Sequence, residues 1–148
     1  MDFIIFAGGI EPNGLVYELS IDKNEMGYIV TNSYLQTQSY GNVFAIGDCT
    51  TIVNEGKIVA PTADTAEQMA DICVQNIMNL IEKKPLKTHN IKSRGILIAL
   101  GRGYAVAKVF GFYFSGYFAY IMKKMVEKAY EKRLEMRSRK GCKKIFCD

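Results

Sequence analysis

The stretch Asn42–Asp48, NVFAIGD, decides how the rest of the chain is read. Val43–Ile46 is a short apolar run that predicts a buried strand, and Gly47 and Asp48 stop it. In a doubly wound α/β fold the loop at a strand's carboxyl end faces the ligand crevice. An aspartate placed there accepts hydrogen bonds from ribose or ribityl hydroxyls, and a preceding glycine lets a ligand approach the backbone. The same pair also suits a plain Asx turn that ends a strand in any domain. The flanking sequence has to decide between these.

Upstream, residues 3–7 predict a further buried strand, followed by a loop over 8–14, GGIEPNG. Small residues in Ala7-Gly8-Gly9 either admit a cofactor or another backbone, or supply a positive φ to the loop. After a turn at Lys23–Asn24, residues 27–31 (GYIVT) predict a strand, and a polar connection leads from there to Val43. A chain that opens on an apolar strand reads as cut from something longer, since a buried strand of this kind needs neighbours on both sides. No segment at the start has the length of a secretory h-region.

Downstream, residues 51–62 form a loop closed by Pro61, and a helix is predicted from Thr62 to about Glu82. Thr62 serves as N-cap, Asp64 and Glu67 occupy the first turns, and apolar residues recur at Ala66, Met69, Ala70, Cys73, Ile77, Leu80 and Ile81. Pro85 lies just past the end. The first turn, Thr62-Ala63-Asp64-Thr65, presents backbone N–H groups and the positive end of the helix dipole. That end suits an electron-rich carbonyl or a ring carrying transient negative charge, and Ala63 leaves the approach clear. Gln68 follows one turn later with both a donor and an acceptor. An ordinary capped amphipathic helix with a polar outer face has the same residues.

Residues 95–110 predict a hairpin turning at Gly101-Arg102-Gly103, and residues 111–140 predict one long helix in which Phe114, Phe118, Ile121, Met125 and Ala129 recur at three and four. Gly101-Arg102-Gly103 is not a phosphate loop, because Val106 stands where the third small residue belongs and a strand follows instead of a helix.

Charge is unevenly spread. Residues 123–148 hold 10 Lys/Arg against 4 Asp/Glu, whereas residues 1–122 hold 9 against 11. The basic surplus points to an anionic partner for the C-terminal end alone. Residues 109–122 carry no charge but fall short of the roughly 20 residues that span a bilayer. Their aromatic residues beside a Lys/Arg-rich stretch suit a helix lying in an anionic membrane interface, or equally a helix packed on its own domain. Cys49, Cys73, Cys142 and Cys147 form no CxxC pair and no zinc spacing, which predicts free thiols and no metal. His89 reads as a surface loop residue.

Three pieces, Ala7-Gly8-Gly9 with Pro12-Asn13, then Thr31 with Gly47-Asp48, then Ala63 with Gln68, resemble in order and spacing the second half of oxidoreductases with two dinucleotide-binding domains for FAD and NAD(P). Residues 94–135, RGILIALGRGYAVAKVFGFYFSGYFAYIMKKMVEKAYEKRLE, resemble the C-terminal region of the type II NADH:quinone oxidoreductases. The resemblance implies the C-terminal part of an α/β FAD/NAD(P)-binding fold, with a hairpin and a C-terminal amphipathic helix. Residues 1–14 would end an NADH-binding domain, 15–92 would belong to an FAD-binding domain, and 93–148 would associate with membrane. Asp48 would bind the ribityl chain of FAD, with Gly8, Gly9, Gly47, Thr62 and Ala63 also at the cofactor. Gln68 and Asp64 would be the catalytic pair on the quinone side.

The implied cofactors are FAD and NAD(H). The implied partners are a quinone, an anionic membrane surface on the cytoplasmic side of the cell membrane, and a second copy in a homodimer, with no role for nucleic acid. Asp64 departs from the family pattern, which has glutamine there. A carboxylate beside a flavin that becomes anionic on reduction meets like-charge repulsion unless it is protonated or turned away. A sulfide:quinone oxidoreductase on the same scaffold is the alternative enzyme, and it would need a reactive thiol near the flavin, with Cys49 the nearest in sequence. A non-catalytic membrane-binding fragment is the alternative outside enzymes.

Overall fold

A computed structural model of the protein describes residues 3–5, 8–54 and 56–145, with side chains described for all of these except 137 and 139–145. Ala7, the last two residues of the 3–7 run (6 and 7) and Cys147 therefore lie outside the described residues, as does the Cys142 side chain. The chain is of mixed helix-and-sheet class and divides into two units, Met1–Ser93 and Arg94–Asp148.

In the first unit regular structure is sparse. A short helix, α1 (Gly14–Glu18), is capped by the Asn13 side chain, which accepts from Leu15 N–H at 3.0 Å. The predicted strand at 27–31 is reduced to single bridges: Ile29 pairs with Lys23 and Thr50, and Thr31 with Thr37. The turn before it is closed by Gly27 N–H on Asn24 C=O and centres on Glu25–Met26, two residues later than Lys23–Asn24. Val43–Ile46 is extended, but only Phe44 forms a bridge, to Gln36. Residues 3–5 form no strand, and Phe3, Ile4 and Ile5 are 85–95% exposed. A buried parallel strand needs a neighbour on each edge and a layer on each face, and none of the described residues supplies them to this run.

A two-residue hairpin, β1 (Val53–Asn54) with β2 (Lys57–Ile58), precedes the main element, α2 (Ala63–Ile81). The sequence places α2 correctly because its signals agree. Thr62 caps Thr65 N–H, the Thr65 hydroxyl accepts from Thr62 N–H in return, and apolar residues recur along one side. Met69 and Cys73 on that side pack with Leu35, Ile52 and Ile91 to make the principal core. A second cluster joins Val16, Ile29 and Ala45. Val74 and Ile81, on the other side of α2, are 63% and 70% exposed.

The second unit is a three-stranded antiparallel sheet and one helix: β3 (Gly95–Gly101), β4 (Tyr104–Val109), β5 (Phe112–Gly116) and α3 (Tyr117–Ile145), with sheet order β3-β4-β5. The hairpin at 101–103 is as predicted, with Leu97 opposite Ala107 and Gly101 opposite Tyr104. The helix expected from residue 111 is a correction, because residues 112–116 form β5. Phe110 (φ 49°) and Gly111 (φ 88°) close a two-residue turn between Val109 and Phe112. Two successive positive-φ residues match the right-handed twist of a hairpin. Phe114 therefore faces inward from a strand, beside Ala105, Ala107 and Ala119. Those three alanines are at most 5% exposed, so small side chains let α3 lie close on β4.

Candidate functional site

Asp48 sits in a single 3₁₀ turn, Gly47–Cys49, whose backbone hangs on Ile29, since Ile29 N–H donates to Cys49 C=O at 2.9 Å. Gly47 takes φ +74°, a left-handed conformation that a Cβ would strain, so glycine is required where the chain reverses direction. The turn packs on the first turns of α2: Gly47 N–H points to Met69 Sδ at 3.1 Å, and a Cβ on Gly47 would lie 4.0 Å from the Ala66 Cβ. The turn that carries Asp48 and the start of α2 are thereby brought together.

Between them lies a cavity of about 190 Å³. Gly47, Asp48, Pro61 and Thr65 line it beside Tyr28 and Thr50, and Ile52 and Met69 make its floor apolar. It falls below the roughly 300–1,000 Å³ of a complete small-molecule site, so it has room for only part of a larger ligand. Asp48 is exposed at the mouth.

Thr62 spends its side chain on the cap, accepting from Thr65 N–H at 3.2 Å. Ala63 is exposed at the helix end, where the first N–H groups of a helix have no intrahelical acceptor. Gly8 and Gly9 are exposed and line no part of the cavity, and Gly9 takes φ +85°. Their segment is tied nearby through the Tyr28 hydroxyl, which donates to Ile10 C=O at 3.1 Å.

Gln68 is differently placed from a group offered to a ligand. Its Nε2 donates to Asp64 Oδ2 at 3.1 Å and to Lys92 C=O at 3.0 Å, and its Oε1 accepts from Lys92 N–H at 3.3 Å. It is one of three α2 amides that grip the returning chain. Asn76, fully buried, donates to Tyr34 C=O and Lys87 C=O and accepts from Lys87 N–H at 2.8 Å, and Asn79 donates to Pro85 C=O at 2.9 Å. Sequence reading missed this ladder. Its only trace is that Gln68, Asn76 and Asn79 share one helix face with Met69 and Cys73, where polar residues are out of place unless they are bonded.

Burial pushes the Cys49 thiol up, outweighing a hydrogen bond from Sγ to Ile46 C=O (3.2 Å). A nucleophilic cysteine requires the opposite shift, which weighs against sulfide chemistry at this position. His89 is half-buried, not a free surface residue. Its backbone N–H donates to Ser33 C=O, its Nδ1 has no hydrogen-bond partner among the described residues, and burial pushes its imidazole down.

The model of the pyridine nucleotide-disulphide oxidoreductase family matches residues 1–70. The type II NADH:quinone oxidoreductase of Haemophilus influenzae is 36% identical over 101 residues, 67% of this chain and 23% of that protein. The ferroptosis suppressor protein 1 of Taeniopygia guttata is 35% identical over 115 residues, 76% of the chain and 30% of that protein. The demethylphylloquinone reductase of Synechocystis is 29% identical over 127 residues, 85% of the chain and 31% of that protein. The chain thus spans 23–31% of the length of these relatives. With Gly47-Asp48 docked on the start of α2 and the family match running through both, the chain is similar to the pyridine nucleotide-disulphide oxidoreductases, and with them to type II NADH:quinone oxidoreductases and related quinone reductases.

Proposed function

We propose that this chain supplies one wall of the flavin site, and the membrane-facing end, of an NADH:quinone oxidoreductase. Residues 1–14 would close the nicotinamide-binding part, residues 15–92 would belong to the FAD-binding part, and residues 93–148 would meet the membrane. The observation that carries the reading is the junction of Gly47-Asp48 with the start of α2 around one cavity. Its residues suit a flavin dinucleotide: an exposed carboxylate for sugar-alcohol hydroxyls, a glycine that leaves the backbone open, and a helix end that favours electron-rich atoms.

In this reading Asp48 binds the ribityl hydroxyls and Gly47 admits the chain that carries them. The Ala63 amide and the dipole of α2 face the electron-rich edge of the ring. Thr62 keeps the helix end intact by capping it, and Gly8 and Gly9 give a close approach from the preceding segment. Flavin, when bound, supplies the hydride- and electron-accepting chemistry between NAD(H) and quinone. Asp64 and Gln68 are the polar pair on the quinone side, and their mutual hydrogen bond turns one carboxylate oxygen of Asp64 toward the helix. That orientation eases the repulsion expected between Asp64 and an anionic ring.

The second unit suits a membrane surface. Phe110, Phe112, Tyr113 and Phe118 are 68–80% exposed, and Met125 and Val126 are exposed further along α3, interspersed with Lys124, Glu127, Lys128 and Glu131. Among the described residues no helix is long and apolar enough to cross a membrane. Interfacial docking on an anionic leaflet, as a peripheral enzyme on the cytoplasmic side, fits an aromatic stripe next to basic residues.

A chimera tests the proposal: this chain replaces the aligned segment of the Haemophilus influenzae enzyme, and NADH oxidation is followed with quinone-loaded vesicles. The expected protein is yellow with stoichiometric flavin and faster on anionic than on neutral vesicles, and Asp48→Ala loses most of its flavin. A folded chimera whose flavin content is indifferent to Asp48→Ala would show the reading to be wrong.

A further inference from the structure

Gln68 poses a chemical problem for its own proposed role. A glutamine that donates to a ligand keeps an N–H for it, yet both Nε2 hydrogens of Gln68 are engaged inside the protein, with Asp64 and with Lys92 C=O, and Oε1 gives one of its two lone pairs to Lys92 N–H. The paired bonds to Lys92 N–H and C=O copy the pattern by which one strand binds the next, a side chain taking the place of a ladder partner.

The same short segment is held from two further directions. The Ile91 side chain is fully buried in the principal core, and Ile91 C=O accepts from the Asn54 side-chain amide. Asn54 belongs to the β1–β2 hairpin, and Ile58 at its far end lines the cavity. Residues 91–92 are thus the place where the cavity hairpin, α2 and the end of the first unit are tied together, since that unit ends at Ser93.

We propose that Gln68 is a positioning residue: it fixes the Lys92 backbone and the Asp64 carboxylate, and serves the site through them without itself contacting flavin or quinone. This rests on the flavin-site reading above and refines the part that Gln68 plays in it. The ligand-facing groups at this end are then Asp64 and the Ala63 amide, and Gln68 sets where they stand.

Amide hydrogen exchange in the whole 148-residue chain, read by NMR, tests the assignment with Gln68→Glu and Gln68→Leu. A protonated glutamic acid side chain keeps both a donor and an acceptor, as glutamine does. Once ionised it loses the donor, and its charge faces Lys92 C=O and the carboxylate of Asp64, with Glu67 and Asp71 on the same helix. The Lys87 amide, held by Asn76, serves as internal reference for the fold. In Gln68→Glu the protection of Lys92 relative to Lys87 is expected to fall at least tenfold as pH rises from about 4 to about 7, across the ordinary carboxylate range. In the wild type that ratio stays flat, and in Gln68→Leu it is low throughout.

Millimolar FAD supplies the functional arm, since the shift of the Ala63 amide on FAD addition should be present when Lys92 is held and lost when it is released. A ratio that is the same in all three proteins overturns the assignment, and so does an Ala63 response that persists with Lys92 released. An absent FAD response in the wild type overturns the flavin reading and the positioning role with it, while the Lys92 ratio still reports the pairing by itself. If Gln68→Leu loses Lys87 protection as well, Gln68→Glu alone decides.

Discussion

The two units satisfy their backbones in opposite ways. In the second, β3, β4 and β5 pair in sequence order through tight turns, and each strand bonds its neighbour along nearly its full length. In the first, strand pairing among the described residues is limited to isolated bridges and a two-residue hairpin, and outside α2 side chains join scattered backbone bonds in satisfying the chain. Asn76, Asn79 and Gln68 bind the return segment, the Asn32 side chain accepts from Tyr34 and Gln36 N–H, and Asn24 accepts from Met26 and Tyr28 N–H. Buried backbone groups have to be paired somewhere. Where a ladder is short, stability is concentrated in a few polar side chains; where it is long, it is spread along the strands and vested in packing. The comparison therefore predicts which kind of substitution hurts which unit.

The largest effect belongs to Asn76→Leu. Asn76 is fully buried and answers three backbone groups, two carbonyls and one N–H. Leaving them unpaired costs about 3 kcal/mol or more, at roughly 1–3 kcal/mol for each unsatisfied buried group. Urea unfolding followed by residue-resolved NMR should show the first unit weakened and the amides of β3–β5 unchanged. Equal loss in both units would break the contrast.

The complementary change in the second unit is Ala119→Leu. Ala119 is fully buried against Ala105 and Ala107, and no polar group depends on it. Overpacking of this kind costs about 1–3 kcal/mol, here as separation of α3 from β4. The loss should appear in the amides of β4 and α3 and leave those of α2 alone.

The smallest effect is on pH dependence. Burial lowers the His89 pKa below the ordinary imidazole value of 6.5, so the unfolded chain takes up the proton first as pH falls. The stability due to neutral His89 is complete above that ordinary value and is lost on acidification toward the folded pKa. Comparing wild type with His89→Gln between about pH 5 and 7.5 should show a shallower decline in the variant, confined to the first unit. A steeper decline in His89→Gln would mean that the sign is wrong.

How far the sequence carried the structure varies by element, for physical reasons. The α2 helix was legible to within a residue because capping, periodicity and a terminal proline all agree. The hairpin at 101–103 was legible because the glycines flank a turn between two apolar runs. β5 was missed because the aromatic run from Phe112 to Phe118 satisfies two periods at once: Phe112 and Phe114 alternate, while Phe114, Phe118 and Ile121 recur at four and three. The Phe110-Gly111 turn breaks the tie, and a phenylalanine at φ 49° is not something composition announces.

The strand expected at 3–7 failed because an apolar run records only a potential for burial. Pairing also needs neighbours, and the described residues give Phe3, Ile4 and Ile5 none. At the site, Gly47-Asp48 and the start of α2 were visible as the end of an apolar run and a helix start; Gly47, Asp48 and Thr65 line one cavity, whereas Thr62 and Ala63 stand at the helix end without lining it. The hold of Gln68 on Lys92 was not visible, because it joins positions 24 apart through a backbone that carries no side-chain signature.

The measurement that bears most directly on the whole account is an FAD titration of the isotope-labelled chain followed by NMR. If one flavin site is built from the strand-end turn and the helix start, the amides of Gly47, Asp48 and Ala63 shift together along one binding curve, and Asp48→Ala abolishes the shifts at all three. Amides of the two segments that respond with different affinities, or a response confined to β3–α3, would contradict it.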